Sequence, residues 1–124
     1  MIHHIDVPVR DVTRSRAFYD AALAPLDLRL VIHNRHAEGR EVLGYGVLPD
    51  PVFWIRSGKP PIEKLHVAFA ASTREAVDAF HRSALNAGGV CNGPPGFRPR
   101  YADSYYAAFV LDPDGNNIEA VCRS

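Results

Sequence analysis

The first residues of the chain alternate between apolar and polar side chains. Within residues 2–9, Ile5, Val7 and Val9 point to one side of an extended chain, and His4 points to the other side. A period of two residues is typical of a strand that is buried on one face and open on the other. The pattern therefore predicts a first strand that carries a histidine on its polar face.

A helix and three more strands are predicted to complete the first half. Apolar residues at helical spacing indicate a helix over residues 12–24, with Asp11 as its N-cap and Pro25 at its end. The three strands are predicted over residues 27–33, 41–48 and 52–56, with a hairpin loop over residues 34–40.

The second half of the chain repeats this pattern. Sliding the sequence along itself by 62 positions, half of its 124 residues, places His4 on His66 and Phe18 on Phe80 without a gap. The repeat predicts the following elements: a strand over residues 65–70, a helix opened by a capping box at Ser72–Glu75 and ended by Gly88-Gly89, a short strand over 90–92, an irregular segment over 93–103, and strands over 104–111 and 117–122.

Each half therefore has the order β-α-β-β-β, and residues 57–61 form the linker between the halves. We expect an α+β fold in which two tandem βαβββ units, residues 1–58 and 62–124, form one domain with an incomplete barrel-like sheet. The apolar strand faces lie under the helices, so the opposite faces are expected to line a partly polar cleft.

Composition excludes several classes of function. The chain has 14 basic and 14 acidic side chains and no basic run, which argues against nucleic acid or an anionic membrane as a partner. It has neither a membrane-length apolar stretch nor a secretory signal, so we expect a cytoplasmic protein. Cys91 and Cys122 lack metal-binding or disulfide spacing.

Two histidines and one carboxylate are the candidate metal ligands. His4 and His66 occupy equivalent places in the two units, and Glu119 lies on the last strand. If a pseudo-twofold axis relates the units, both imidazoles face one cleft. Imidazole nitrogens with a carboxylate suit a divalent metal such as Zn, Ni, Mn or Fe and leave coordination positions open for substrate.

Other residues are expected to contact the substrate at the entrance of the cleft. Arg98 and Arg100 are candidates for binding a carboxylate or phosphate, and Tyr101 lies beside them. Only one of the adjacent Tyr105 and Tyr106 can face the cleft, and Tyr106 is our candidate, with Glu119, for a catalytic role. Trp54 is a further candidate for the lining, or for a dimer interface.

The sequence resembles the vicinal oxygen chelate superfamily, which includes glyoxalase I, extradiol dioxygenases, methylmalonyl-CoA epimerase, and fosfomycin and bleomycin resistance proteins. The resemblance rests on HIDVPVRD at residues 4–11, SRAFY at 15–19, HVAF at 66–69 and DPDGNNIE at 112–119. It implies the two-unit fold over the whole chain, a homodimer, and metal ligands at His4, His66 and Glu119. The last strand of the first half, VFWIR at 52–56, lacks the fourth ligand that glyoxalase I uses.

The resemblance implies a divalent-metal-dependent lyase or isomerase that acts on a small substrate with vicinal oxygens. One alternative is an extradiol-type dioxygenase, although the sequence shows no additional cleft histidine as an oxygenase base. A second alternative is a metal-free protein that binds a small molecule, as in bleomycin resistance, with Phe53, Trp54 and Tyr106 as an apolar lining. The metal site can form within one chain or across a dimer.

Overall fold

A computed structural model describes all 124 residues as two helices and two four-stranded sheets. The predicted α+β fold of two βαβββ units is confirmed, and the strands form two separate sheets with no closed barrel. In chain order the elements are β1 (Ile5–Val9), α1 (Val12–Leu23), β2 (Arg29–Arg35), β3 (Glu41–Val47), β4 (Asp50–Ser57), β5 (His66–Ala70), α2 (Arg74–Asn86), β6 (Val90–Phe97), β7 (Tyr106–Leu111) and β8 (Asn117–Cys122).

Both sheets have the same topology. The first sheet has the strand order β1-β4-β3-β2, and the second has the order β5-β8-β7-β6. In each sheet the first strand of the unit pairs in parallel with the last, and the other pairs are antiparallel. Strands β1 and β5 occupy equivalent positions in the two units, and each therefore lies at the edge of its sheet.

The N-terminus of each helix is capped by a side-chain oxygen. Asp11 accepts a hydrogen bond from the backbone N–H of Arg14 (3.1 Å), as predicted. The cap of α2 is Thr73, not the predicted Ser72, because Thr73 keeps an extended backbone while its hydroxyl accepts from Ala76 N–H (3.0 Å). Neither helix is long and apolar enough to cross a lipid bilayer.

Strand β6 is longer than the sequence predicts. It continues from Val90 to Phe97, through a Pro94-Pro95 pair that was expected to lie in irregular structure. Two features make the strand tolerant of these prolines: it lies at the edge of the sheet, where half of its N–H groups need no partner, and its register with β7 shifts on either side of Gly93.

One apolar core joins the two units. Helices α1 and α2 pack against each other, and each also packs on the sheet of its own unit. The ring of Phe53 in the first sheet lies 5.2 Å from that of Phe69 in the second and 4.9 Å from that of Tyr19 on α1. All three side chains belong to a single buried cluster, so the units fold as one body.

A buried polar network also crosses between the units. The Tyr19 hydroxyl donates to Asp112 Oδ2 (2.5 Å), and the Asn116 side-chain amide donates to the same oxygen (3.1 Å). The other oxygen, Oδ1, accepts from the backbone N–H groups of Asp114 and Asn116 (3.0 and 2.8 Å). Burial raises the pKa of Tyr19 well above its usual value, and the charge of Asp112 raises it further.

We expect Tyr19→Phe to lower the free energy of unfolding by about 2 kcal/mol, because the buried Asp112 carboxylate loses a donor that water cannot replace. Tyr45→Phe is the matched control, since the Tyr45 hydroxyl donates to the exposed Asp20 (2.9 Å), which water can solvate after the change. Urea unfolding should show the smaller loss for Tyr45→Phe, and equal losses would contradict the assignment.

Candidate functional site

The second sheet brings a histidine and a glutamate together on its exposed face. Strands β5 and β8 pair in parallel, with His66 opposite Asn117 and Ala68 opposite Glu119. This register places the side chains of His66 and Glu119 on the same face. His66 Nε2 lies 2.8 Å from Glu119 Oε1, and the other carboxylate oxygen accepts a hydrogen bond from the Tyr105 hydroxyl.

Glu119 is buried and has no Arg or Lys partner. Its side chain is 2% exposed, and its only ion-pair partner within 4.0 Å is His66, which is 54% exposed. Burying a carboxylate is costly unless a cation or several donors compensate its charge. The pair thus places an imidazole nitrogen beside a buried carboxylate oxygen on one face of the sheet, and the second carboxylate oxygen accepts from Tyr105.

Tyr105 and Tyr106 point to opposite faces of the second sheet. Phe109 pairs with Glu119, so side chains in phase with Phe109, Tyr105 among them, lie on the face of Glu119. The Tyr106 hydroxyl instead donates to Asp78 on α2 (2.6 Å), on the helix side of the sheet. The structure therefore places Tyr105 beside Glu119, whereas the predicted Tyr106 lies on the helix side of the sheet. Phe109 is the partner of Glu119, and Tyr105, four residues earlier along the extended chain, points to the same face.

The Glu119 carboxylate also affects the acidity of Tyr105. Burial raises the pKa of Tyr105 to about 12, and the hydrogen bond to Glu119 and its negative charge act in the same direction. The phenol therefore keeps its proton at neutral pH and acts as a hydrogen-bond donor to Glu119.

A small basic pocket lies on the same side of the second sheet. Its volume is about 240 Å³, and no acidic residue lines it. The predicted substrate residues Arg98, Arg100 and Tyr101 come together there, with Phe109 and Asn117. The Arg98 guanidinium lies 5.4 Å from the centre of the Phe109 ring, and the Arg100 guanidinium lies 5.0 Å from that of Tyr101.

His4 lies in a different pocket on the first sheet. This pocket has a volume of about 660 Å³ and includes the predicted substrate residue Trp54 together with Asp6 and Asp50. No three His, Cys, Asp or Glu side chains converge in the chain to form a metal site. His66 does not line the pocket that contains His4, and β1 and β5 belong to separate sheets.

We expect Glu119→Gln to raise the free energy of unfolding of the metal-free protein by about 1 kcal/mol at pH 8, since an amide of the same shape costs less to bury than a carboxylate. Such a gain is typical of residues kept for function at a cost in stability. Urea unfolding in the presence of EDTA measures the change.

Glu41→Gln is the matched control for this prediction. The hydrogen bond from His33 (2.6 Å) is the main reason why the pKa of Glu41 is lowered, so the charged carboxylate stabilises the fold. Its replacement should lower stability above about pH 5, and the difference should vanish as the pH falls through the lowered pKa. A loss of stability in Glu119→Gln like that in Glu41→Gln contradicts our interpretation of Glu119.

Comparison with known proteins identifies one family. The model of the Glyoxalase/Bleomycin resistance protein/Dioxygenase superfamily matches residues 1–120. Among solved structures, a glyoxalase/bleomycin resistance protein from Albidiferax ferrireducens T118 is 35% identical, with a TM-score of 0.78; the match covers 98% of this chain and 97% of that one. Among curated proteins, none matches this chain.

Two more distant structures share the fold. A glyoxalase I mutant from Zea mays is 20% identical with a TM-score of 0.73, and the match covers 97% of this chain and 46% of that one. A mutant of the fosfomycin resistance protein FosX from Listeria monocytogenes, in complex with Mn(II) and 1S,2S-dihydroxypropylphosphonic acid, is 18% identical. Its TM-score is 0.70, with 98% of this chain and 90% of that one covered.

Proposed function

We propose a function for this chain, which belongs to the Glyoxalase/Bleomycin resistance protein/Dioxygenase superfamily. We infer a divalent-metal-dependent lyase or isomerase that acts on a small substrate with vicinal oxygen atoms. The observation that supports this proposal is the pair of His66 and Glu119, in which a buried carboxylate has a histidine but no Arg or Lys beside it.

The donors of this pair fit a divalent metal. An imidazole nitrogen and a carboxylate oxygen are 2.8 Å apart on one sheet face, and both are ligands that Zn, Ni, Mn and Fe accept. When bound, such an ion polarises a carbonyl or hydroxyl oxygen of the substrate. The positive charge also compensates the buried Glu119. Tyr105 holds the second carboxylate oxygen and so orients Glu119.

A third ligand, His4, is proposed to come from a second copy of the chain. Within one chain His4 lines a pocket to which neither His66 nor Glu119 contributes, and no three such ligands converge. A twofold axis that lays this face on the second sheet of a partner creates two identical sites, each with His4 from one copy. Completing the site in this way requires a homodimer.

The face around His4 offers apolar area for this contact. Exposed apolar side chains of Met1, Ile2 and Val52 surround His4 and offer apolar area to bury. A twofold contact that buries these side chains stabilises the proposed dimer.

Metal content measured by elemental mass spectrometry tests the proposal. We expect near-stoichiometric divalent metal in the wild type, and its loss in His4→Ala and in Glu119→Ala. Co-expression of these two variants with different affinity tags, followed by capture on both tags, isolates mixed dimers. Each mixed dimer has one intact site, so about half of the wild-type metal per chain should return.

The same preparation distinguishes the alternatives. Capture of His4→Ala copies with each other serves as control and should recover no metal. Mixed dimers without metal contradict the two-copy site. A wild-type protein that takes up none of Zn, Ni, Mn or Fe on dialysis contradicts metal dependence altogether.

A metal-free small-molecule binder is the second candidate function. The pocket of about 660 Å³ with Trp54 on one wall favours it, because an indole stacks on planar ligands. Two residues of the lining predicted for this candidate do not reach the pocket, since Phe53 is in the core and Tyr106 faces α2. An extradiol-type dioxygenase would use the same ligands, and oxygen consumption with catechols separates it from a lyase or isomerase.

A further inference from the structure

Two arginines near the His66–Glu119 pair lack a counter-charge. The chain has five ion pairs within 4.0 Å, and neither Arg98 nor Arg100 takes part in any of them. Unpaired arginines on a protein surface are common, but these two line one pocket with no acidic residue in it. The pocket therefore has a net positive charge that nothing in the chain neutralises.

Arg98 is held in place before any ligand arrives. One guanidinium nitrogen donates to the Pro94 carbonyl (2.6 Å), and the group stacks on Phe109. Its backbone N–H donates to the Tyr105 carbonyl (2.7 Å), which closes the connection between β6 and β7. Because the side chain is already ordered, binding an anion costs little additional conformational entropy.

Two amide side chains complete the pocket. The Asn92 amide donates to Asn117 Oδ1 (3.2 Å), and both side chains line the pocket between the arginines and the sheet. Asn117 is also the residue opposite His66 in the β5–β8 register. Guanidinium and amide N–H groups that converge in this way are typical of sites for carboxylate and phosphate-like groups.

Two aromatic contacts connect the basic pocket to the proposed metal ligands. Phe109, under Arg98, has its ring centre 6.2 Å from that of His66. Tyr101, under Arg100, lies 5.1 Å from Tyr105, which donates to Glu119. One aromatic ring, Phe109, therefore separates Arg98 from His66, and two rings separate Arg100 from Glu119.

We propose that the substrate is a small oxyanion, with a carboxylate or phosphonate group that binds Arg98 and Arg100 while its neighbouring oxygens face His66 and Glu119. The contact of the substrate oxygens with His66 and Glu119 rests on the proposed function. The binding of the anion to Arg98 and Arg100 does not. The arginine pocket selects an anionic vicinal-oxygen compound over a neutral diol or catechol of the same size, because only the anion neutralises the two guanidinium groups.

The test is a titration followed by NMR of the Asn92 and Asn117 side-chain amides, with protein freed of metal by EDTA and then dialysed free of EDTA. Lactate and hydroxymethylphosphonate are the anionic probes, and propane-1,2-diol is the neutral control. We expect an anion to bind the wild type, with an affinity that falls about tenfold in Arg98→Gln and in Arg100→Gln. The probe with the higher affinity identifies the substrate group as carboxylate or phosphonate.

Matched variants keep the result interpretable. Arg40→Gln removes an exposed arginine that also has no ion pair, far along the chain in the β2–β3 loop, and should bind like the wild type. Arg100→Gln is the decisive variant if Arg98→Gln loosens the β6–β7 connection, because the Arg100 side chain donates only to Tyr101 (3.2 Å).

Equal binding of lactate, hydroxymethylphosphonate and propane-1,2-diol overturns the inference, and so does anion binding that survives both arginine substitutions. Because the titration uses metal-free protein, its outcome is independent of metal. Failure of metal uptake in the wild type therefore contradicts the proposed function, while loss of anion selectivity contradicts the arginine subsite.

Discussion

The buried carboxylate of Asp112 sets the geometry on which the second sheet depends. It accepts hydrogen bonds from the Tyr19 hydroxyl on α1 and from three N–H groups of its own turn. One of these groups belongs to the Asn116 side chain, whose oxygen in turn accepts from Leu65 N–H (3.0 Å). Asn117 N–H then donates to the Leu65 carbonyl (2.8 Å), which fixes where β5 meets β8. The register that brings the candidate ligands of these two strands together is therefore determined one turn away, by a contact with the other unit.

The sequence predicts the fold well because the two units repeat one pattern. A shift of 62 residues carries the start of α1, Val12, onto the start of α2, Arg74, and the apolar phase of each helix is clear. The length of edge strand β6 is the main feature that the sequence predicts wrongly. Its Pro94-Pro95 pair is typical of a loop, and only tertiary context, an open edge with bulges, makes it a strand.

The candidate site is predictable residue by residue but not as an assembly. Strand phase places His66 and Glu119 on one face, and the same phase counted along β7 selects Tyr105. The relation between β1 and β5 has no such local signal. Strand patterns are the same whether the two sheets join in one chain or across a dimer, so the distance from His4 to Glu119 depends on packing that sequence periodicity does not encode.

The β6–β7 connection has a consequence for how this protein can evolve. Arg98, Arg100 and Tyr101 all lie in it, and none belongs to the buried cluster that joins the two units. Mutations there change the charge beside His66 without disturbing the core or the Asp112 turn. In the proposed subsite, substitutions at Arg100 and Tyr101 can therefore change which ligands are preferred, while the strands that carry His66 and Glu119 stay the same.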